Sequence, residues 1–526
     1  MARNFRAQAS VALGIALALS CNAMAKDKDA LQFPERAFSV ETKTVESANG
    51  KHQIRYRAYR HIPYVAHPVS KEFQSLDVMV PVEVDGKPID ARHAPIVLNI
   101  TVGGYLSASN TNPARRGPGP ESLPPPGGAA MAGGESVPPP GAGPQGAGPA
   151  QAPRGGLPQQ MGGNGSKADL ALAAGYVVVT PGARGRDNKA EDGTYFGKAP
   201  AAIVDLKAAV RYVRHNTGRL PGNTEWIISA GCSAGGGLSA LLGSSGDSPL
   251  YDKYLAQIGA AKASDRVFAS ACYSPITDLE HADLSYEWAF GPQAARTGKV
   301  DSALTAELSA ANEAYQDSLG LQGRQDFGAV SGARLGSYLQ QAYLQPAASR
   351  YLSALAATER DAYLQKNPWI HWDGQQARFA FADFASHLVR GKGQPAFDDF
   401  TLRAPETGLF GNRTNNARHF TEFSLRHATA RGDAQLDAEL RQLVDMMNPM
   451  YFIARKDAAQ AKHWWLRTGS RDDGISPSVI VNLGTRLENH GKDVDTAFFW
   501  DGGHCADDDP QGMIDWIGRI TGYSSR

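Results

Sequence analysis

Short continuous apolar runs recur along this chain, and most are followed by a segment with helical spacing. PIVLNITV (Pro95 to Val102) and YVVVT (Tyr176 to Thr180) have no polar face, which predicts strands buried on both sides. EWIISA (Glu225 to Ala230), VFASAC (Val267 to Cys272), HWWLRT (His463 to Thr468) and TAFFW (Thr496 to Trp500) complete a set of six predicted strands. Between them the period changes. Ile203, Leu206, Val210 and Val213 fall on one face of a helix predicted over Pro200 to His215. Met513, Trp516, Ile517 and Ile520 do the same in a final helix over Gly512 to Ile520. Buried strands alternating with helices imply a mostly parallel sheet covered on both faces. From Ser274 to Lys462 this rhythm breaks into a polar, largely helical stretch. It reads as a cap inserted between two strands, over the carboxyl edge where such sheets bind ligands.

One segment is foreign to that pattern. Of the 51 residues from Pro113 to Gly163, 27 are Pro or Gly and none is aromatic. SLPPPGG at Ser122 returns as SVPPPGAG at Ser136. Such a stretch buries too little apolar surface to offset its ordering entropy, so it reads as a flexible surface insertion. A ligand for a polyproline-binding partner is the alternative; long loop extensions cost little.

The first 25 residues have the layout of a secretory signal. Arg3 and Arg6 precede the apolar stretch Val11 to Ser20, and Ala23-Met24-Ala25 is a cleavage motif, so the mature chain is expected to begin at Lys26. A lipoprotein signal at Cys21 is the competing reading, with a poor match at Ala18-Leu19-Ser20. No other run is long and apolar enough to predict a membrane span. The expected organisation is signal peptide 1–25, sheet core 26–273 carrying the insertion 113–163, cap 274–462, and the rest of the core 463–526.

Composition narrows the partners. The 526 residues carry 53 Lys and Arg against 53 Asp and Glu, so no basic excess invites nucleic acid or an anionic membrane. Four cysteines occur, at 21, 232, 272 and 505, with no C-x-x-C pair, so no structural zinc site is expected. Loss of Cys21 with the signal would leave three in an oxidising compartment: one disulfide and one free thiol.

The chemistry centres on Gly231-Cys232-Ser233-Ala234-Gly235, which directly follows a predicted strand and precedes a helix. That context makes it a nucleophile elbow, the turn that lifts a serine hydroxyl above an α/β-hydrolase sheet. Serine needs a base, and the base needs an orienting acid. On this fold they follow in the order acid, then His. His504 lies in DGGHCADDD just after the last predicted strand, and Asp472 and Asp473 lie in GSRDDG after the one before it. The residues alone leave both aspartates open. For the oxyanion, the amide of Ala234 and one from Gly103-Gly104-Tyr105 are the expected donors, with Gly104 preferred and Tyr105 the alternative. Cys232 and Cys505 flank the nucleophile and the base. Bonding of Ser233 to His504 would bring them within disulfide reach, so a Cys232–Cys505 bridge is expected. Cys272 ends a buried strand and reads as a core residue.

Longer motifs point to a family. GKAPAAIVDLKAAVRYVRHN, GCSAGGGLSALLGSSGDSPLYDKYL, VFASACYSPITDLEHADLSYEW, HFTEFS, MMNPMYFI and the closing GSRDD…GGH segment resemble the bacterial tannases, from about Pro95 to the C-terminus. The resemblance implies a serine esterase of the α/β-hydrolase fold that hydrolyses galloyl esters, and on it rests the expectation of no metal and no other cofactor. It favours Asp472 as the acid, because Gly469-Ser470-Arg471-Asp472 matches the family's G-T-x-D. It also implies that Lys392, ahead of Pro395-Ala396-Phe397-Asp398, and Glu406, fourteen residues on, bind the galloyl hydroxyls. The family's further ring-binding Asp, two residues after the acid, is Gly474 here; Asp473 is the candidate substitute. The cysteines beside Ser233 and His504 resemble instead the disulfide of the fungal tannase and feruloyl esterase family.

The expectation is therefore a secreted or periplasmic tannase-like ester hydrolase acting on a small aromatic ester, with no nucleic-acid partner. A feruloyl or general aryl esterase keeps the same triad and changes the acyl group. A serine peptidase of this fold lacks any mark of a peptide-terminus site. A binding protein on a hydrolase fold would be expected to have lost a triad residue. The sequence carries no signal for an oligomeric state.

Overall fold

The computed structural model describes residues 31–47, 49–111, 166–291, 293–294 and 299–525. The expected signal segment, Cys21 and the whole Pro/Gly insertion 113–163 lie outside the described residues. Among the described residues no helix is long and apolar enough to cross a membrane.

A ten-stranded sheet organises the chain. Strands β1 (Ser39–Ser47), β2 (Gly50–Pro63) and β3 (Ser75–Val84) pair antiparallel, with the two-residue strand Lys87–Pro88 alongside β3. Six strands then run parallel to one another: β4 (Ile96–Ile100), β5 (Val177–Pro181), β6 (Ile227–Cys232), β7 (Ala269–Tyr273), β8 (His463–Gly469) and β9 (Asp493–Phe499). Their spatial order is β1-β2-β3-β5-β4-β6-β7-β8-β9, and only the β3–β5 pairing joins the two groups, antiparallel.

The six strands read from the sequence are β4 to β9, each displaced by three residues or fewer at its ends. The shift at the start of β6 has a local cause. Asn223 takes the amide of Trp226 on its carbonyl and that of Glu225 on its side chain, so this stretch turns and the strand begins at Ile227. Strands β1 to β3 were not expected. In β2, Ile54, Tyr56 and Ala58 are buried while Arg55 and Arg57 face out, so its signal is an alternation rather than an apolar run.

Both faces of the sheet are covered. Ile96, Leu98, Val177, Val179 and Ile227 point to one side, with helices α2 (Ala201–His215) and α3 (Ala234–Ser244) against them. Val97, Val178 and Ile228 point to the other, against α1 (Lys167–Ala173) and α7 (Pro510–Thr521). Ile203, Leu206, Val210 and Val213 of α2 are fully buried. Each such side chain contributes about 1.5–3 kcal/mol of transfer free energy. The helix starts at Ala201, with Pro200 as its N-cap.

Between β7 and β8, which are neighbours in the sheet, the described residues of 274–462 add no strand to it. They form helices, including α4 (Leu279–Phe290) and α5 (Pro405–Leu409), and two small hairpins. Helix α6 (Pro477–Asn489) then connects β8 to β9. The loops after β4, β6, β8 and β9 all leave the sheet at its carboxyl edge, which is where the predicted site residues fall.

Candidate active site

Strand β6 turns into α3 through Ser233, whose backbone is held at φ 58°, ψ −126°. A non-glycine residue at positive φ is strained, and only a crowded turn enforces it. The flanking glycines permit that crowding: a Cβ on Gly231 would lie 2.4 Å from the carbonyl oxygen of Gly235. The turn is also tied to β7 and beyond. Ser233 donates its amide to Tyr273 at 2.9 Å and accepts that of Ile276 at 3.1 Å.

The Ser233 hydroxyl lies 2.9 Å from Nε2 of His504, and Nδ1 of His504 lies 2.9 Å from Oδ1 of Asp472. An ionised carboxylate only accepts, so Nδ1 carries the proton and Nε2 is left to accept from serine. Of the two candidate aspartates, Asp472 is the one bonded to the imidazole. It is 4% exposed. Burial pushes its carboxyl up, but the charge and hydrogen bond of His504 outweigh this and hold it below the usual range. For His504 burial pulls downward, and Asp472 outweighs it, leaving the imidazole above 6.5. Such a hydrogen-bonded chain can take a proton from the hydroxyl as the hydroxyl attacks a carbonyl.

Two residues that sequence reasoning passed over hold this chain in place. Thr468 donates its hydroxyl to Oδ2 of Asp472 at 3.0 Å. The Ser274 hydroxyl lies 3.2 Å from that of Thr468 and accepts the amide of Cys505 at 3.0 Å. With Thr468 committed as donor to the carboxylate, Ser274 donates to Thr468. The relay thus runs from the histidine loop to the acid. The amide of Gly474 closes the acid's shell at 2.9 Å. Both hydroxyls stand at the ends of apolar strands, where nothing in their spacing distinguishes them.

The expected disulfide is present: Cys232 and Cys505 are bonded, with Cα atoms 5.9 Å apart. Cys272 is the free, buried thiol, and burial pushes it up to about 12, so it is inert near neutral pH. Cys232, His504 and Cys505 form the one cluster of potential metal ligands among the described residues. The two sulfurs are spent on each other and both imidazole nitrogens are occupied, so the set does not suit a metal.

The loop after β4 lies against α3. Gly104 and Tyr105 both have φ 55°, and the Tyr105 hydroxyl donates to Ile276 at 2.8 Å. Arg186 fixes the loop from outside by donating Nε to Gly104 at 2.8 Å and its amide to Tyr105 at 2.9 Å. Ala234 opens α3, so its amide has no partner within the helix.

Lys392 is half-buried, with its ammonium 3.5 Å from the Phe397 ring centroid. It lies close enough to His504 to act on it electrostatically, as does Asp473 with the opposite sign. Asp473 packs on Gly391: a Cβ there would come within 2.8 Å of its carboxylate. Glu406, in the short helix α5, is 4% exposed and lies beside Tyr105, whose phenol burial first and then the Glu406 charge push up, and Arg186, whose guanidinium burial pulls down against the Glu406 charge. Its Oε2 is enclosed and has no hydrogen-bond partner. Gly474 has no room for a side chain, because a Cβ would sit 2.8 Å from Nδ1 of His504.

A family model described as BD-FAE matches residues 159–318. Two esterases of Mycobacterium tuberculosis are similar over short stretches. Esterase LipC is 43% identical over 56 residues, 11% of this chain and 14% of that protein. Esterase LipQ is 36% identical over 88 residues, 17% of this chain and 20% of that protein. The chain therefore spans only a small part of those two relatives. Solved structures match nearly throughout. The Fusobacterium nucleatum tannase is 29% identical with a TM-score of 0.74, over 93% of this chain and 99% of that one. A tannin acyl hydrolase from Lactobacillus plantarum is 33% identical with a TM-score of 0.74 and the same coverage. A tannin acyl hydrolase in complex with ethyl gallate is 32% identical with a TM-score of 0.73.

Sheet, elbow and these matches together define a carboxylic ester hydrolase of the α/β-hydrolase fold. Within that class, the chain belongs to the tannase, or tannin acyl hydrolase, family.

Proposed function

We propose that this protein is a secreted or periplasmic serine esterase that cleaves galloyl esters through an acyl-enzyme. Ser233 attacks the ester carbonyl while His504 takes its proton, and Asp472 keeps the imidazole in the correct tautomer. The amides of Ala234 and Gly104 hold the oxyanion. His504 then protonates the departing alcohol, and water releases the acid by the same steps in reverse order. Residues 274–462 act as the cap that supplies the acyl pocket.

The observation that carries the acyl assignment is the enclosed, unpartnered Oε2 of Glu406. A buried carboxylate oxygen without a donor is costly, and a phenolic hydroxyl is a donor of the right kind. Lys392 offers donors to neighbouring ring oxygens, and Asp473 offers acceptors. Adjacent hydroxyls on a trihydroxyphenyl ring match this mixture, and charge-assisted bonds of this type are the strong ones.

Gly474 favours a second reading. Where the resembling family has a ring-binding Asp, this chain has no side chain and no space for one. A feruloyl or general aryl esterase needs fewer hydroxyl contacts. Relative kcat/KM on methyl gallate, methyl ferulate and a p-nitrophenyl ester, with Ser233→Ala as the blank, separates the two. A clear preference for methyl gallate supports the galloyl site; equal or better turnover of ferulate retires it and leaves the esterase.

A further inference from the structure

Helix α4 carries Asp283, Tyr286 and Glu287 at i, i+3 and i+4 spacing, so all three reach one side. That side grips the segment bearing Lys392. Tyr286 accepts the amides of Gly391 at 3.1 Å and Lys392 at 3.0 Å, and donates its hydroxyl to the carbonyl of Asp473 at 2.9 Å. These three bonds use its whole hydrogen-bonding capacity. Burial pushes the phenol up to about 12, so it remains a donor at working pH.

The neighbouring residues complete the grip. Glu287 and Arg390 form an ion pair with neither side chain exposed. Arg390 also donates to the carbonyl of Lys392 at 3.1 Å and of Gly393 at 2.9 Å. Asp283 takes the amide of Phe397 at 2.7 Å and of Asp398 at 3.0 Å on its two oxygens. Both polar backbone atoms of Lys392 are therefore held by side chains, and so is the amide of Phe397, the ring under its ammonium. The Tyr286 hydroxyl joins this segment to the loop after β8, beside the packing of Asp473 on Gly391. The catalytic carboxylate in that loop has its own supports in Thr468 and Gly474.

We propose that Tyr286 is a positioning residue for acyl recognition: its hydroxyl bolts the Lys392 segment to Asp473 and so sets the spacing at which the two meet adjacent ring hydroxyls. This rests on the acyl site proposed above. Tyr286 does not touch the substrate; it acts through Lys392 and Asp473. Removing one hydroxyl releases two buried amides and a carbonyl without changing the ring packing.

The test is a double-mutant cycle read as a specificity ratio, kcat/KM on methyl gallate over kcat/KM on p-nitrophenyl acetate. Lys392→Ala is expected to lower that ratio, and Tyr286→Phe to lower it about tenfold, the scale of one or two buried hydrogen bonds. The double variant should match Lys392→Ala to within about twofold, because the two act as one unit. A merely structural role for Tyr286 would lower the melting temperature or both turnovers together, and leave the ratio alone. An unchanged ratio in Tyr286→Phe, or a double variant equal to the product of the singles, overturns the proposal and leaves the acyl site standing. An unchanged ratio in Lys392→Ala overturns the acyl site, and this proposal with it. If Tyr286→Phe does not fold, Asp283→Asn replaces it; it removes one of the two amide acceptors and should shift the ratio in the same direction by a smaller amount, while no shift counts against the proposal.

Discussion

The Cβ that Gly474 lacks would lie 2.8 Å from Nδ1 of His504 and 3.2 Å from Oδ1 of Asp472, across the hydrogen bond that joins them. Glycine at 474 thus belongs to the geometry of the His504–Asp472 pair rather than to a turn. We expect Gly474→Ala to lower kcat on a p-nitrophenyl ester by about 100-fold, since a displacement of about 1 Å at the reacting groups has that scale. Full activity in a folded variant would show that the loop relaxes without moving the imidazole.

If Ser233, His504 and Asp472 act as proposed, their electrostatics set the pH profile. His504 must be neutral to accept the serine proton, and its imidazole is held above 6.5. Activity should therefore appear as pH rises through a value higher than 6.5, read as the acid limb of kcat/KM. Asp472→Asn should cost about 10⁴ in kcat, because an amide can stabilise the wrong tautomer. The stability signs are opposite for the two partners. The raised His504 contributes stability that is complete below 6.5 and lost as pH rises through its folded value. The depressed Asp472 contributes stability present above 3.8 and lost as pH falls through its folded value. An acid limb below 6.5 would contradict the assignment.

Cys232 and Cys505 close a loop with a sequence separation of 273. On chain-entropy grounds the bond is worth about 5–6 kcal/mol. Replacing both by serine should lower the melting temperature and, because the bond joins the nucleophile turn to the histidine loop, lower kcat as well. Alkylation of the denatured, unreduced protein should mark Cys272 and spare the other two. Labelling of all three would remove the bond from the account.

Asp283 is a buried carboxyl pushed up to about 7, first by burial and then by the charge of Asp398, against the amides of Asp398 and Phe397 and the ammonium of Lys392. Its folded value is raised, so its contribution to stability is complete below 3.8 and is lost as pH rises through about 7. Between pH 5 and pH 8 the wild type should lose more melting temperature than Asp283→Asn. Parallel profiles would show that the carboxyl is ionised throughout.

Much of this was legible in the sequence because the sheet is mostly parallel. Buried strands leave unbroken apolar runs, and β4 to β9 were all read from them. The elbow was legible because its glycines answer to a backbone need at that turn. Strands β1 and β2 were missed because each keeps a polar face, with Arg55, Arg57 and Arg60 interrupting what an apolar run would show, whereas β3 has no exposed face and is broken by Asp77 and Pro81. The choice between Asp472 and Asp473 was not legible from the residues alone: the two are adjacent, and only the fold decides which carboxylate turns toward His504. Ser274 and Tyr286 carry no local signature, since their partners lie far along the chain, and Thr468, although it bonds Asp472 four residues on, looks like any strand residue until the fold closes. Glu406 reads as an ordinary surface charge until burial leaves one of its oxygens without a partner.

The most direct test is to trap the acyl-enzyme. Wild-type protein mixed with methyl gallate and quenched in acid is digested, and the peptide containing Ser233 is analysed by mass spectrometry. A galloyl ester on Ser233, absent from Ser233→Ala and cleared as turnover finishes, is the predicted result. Hydrolysis at an undiminished rate by Ser233→Ala, with no adduct on that peptide in the wild type, would contradict it.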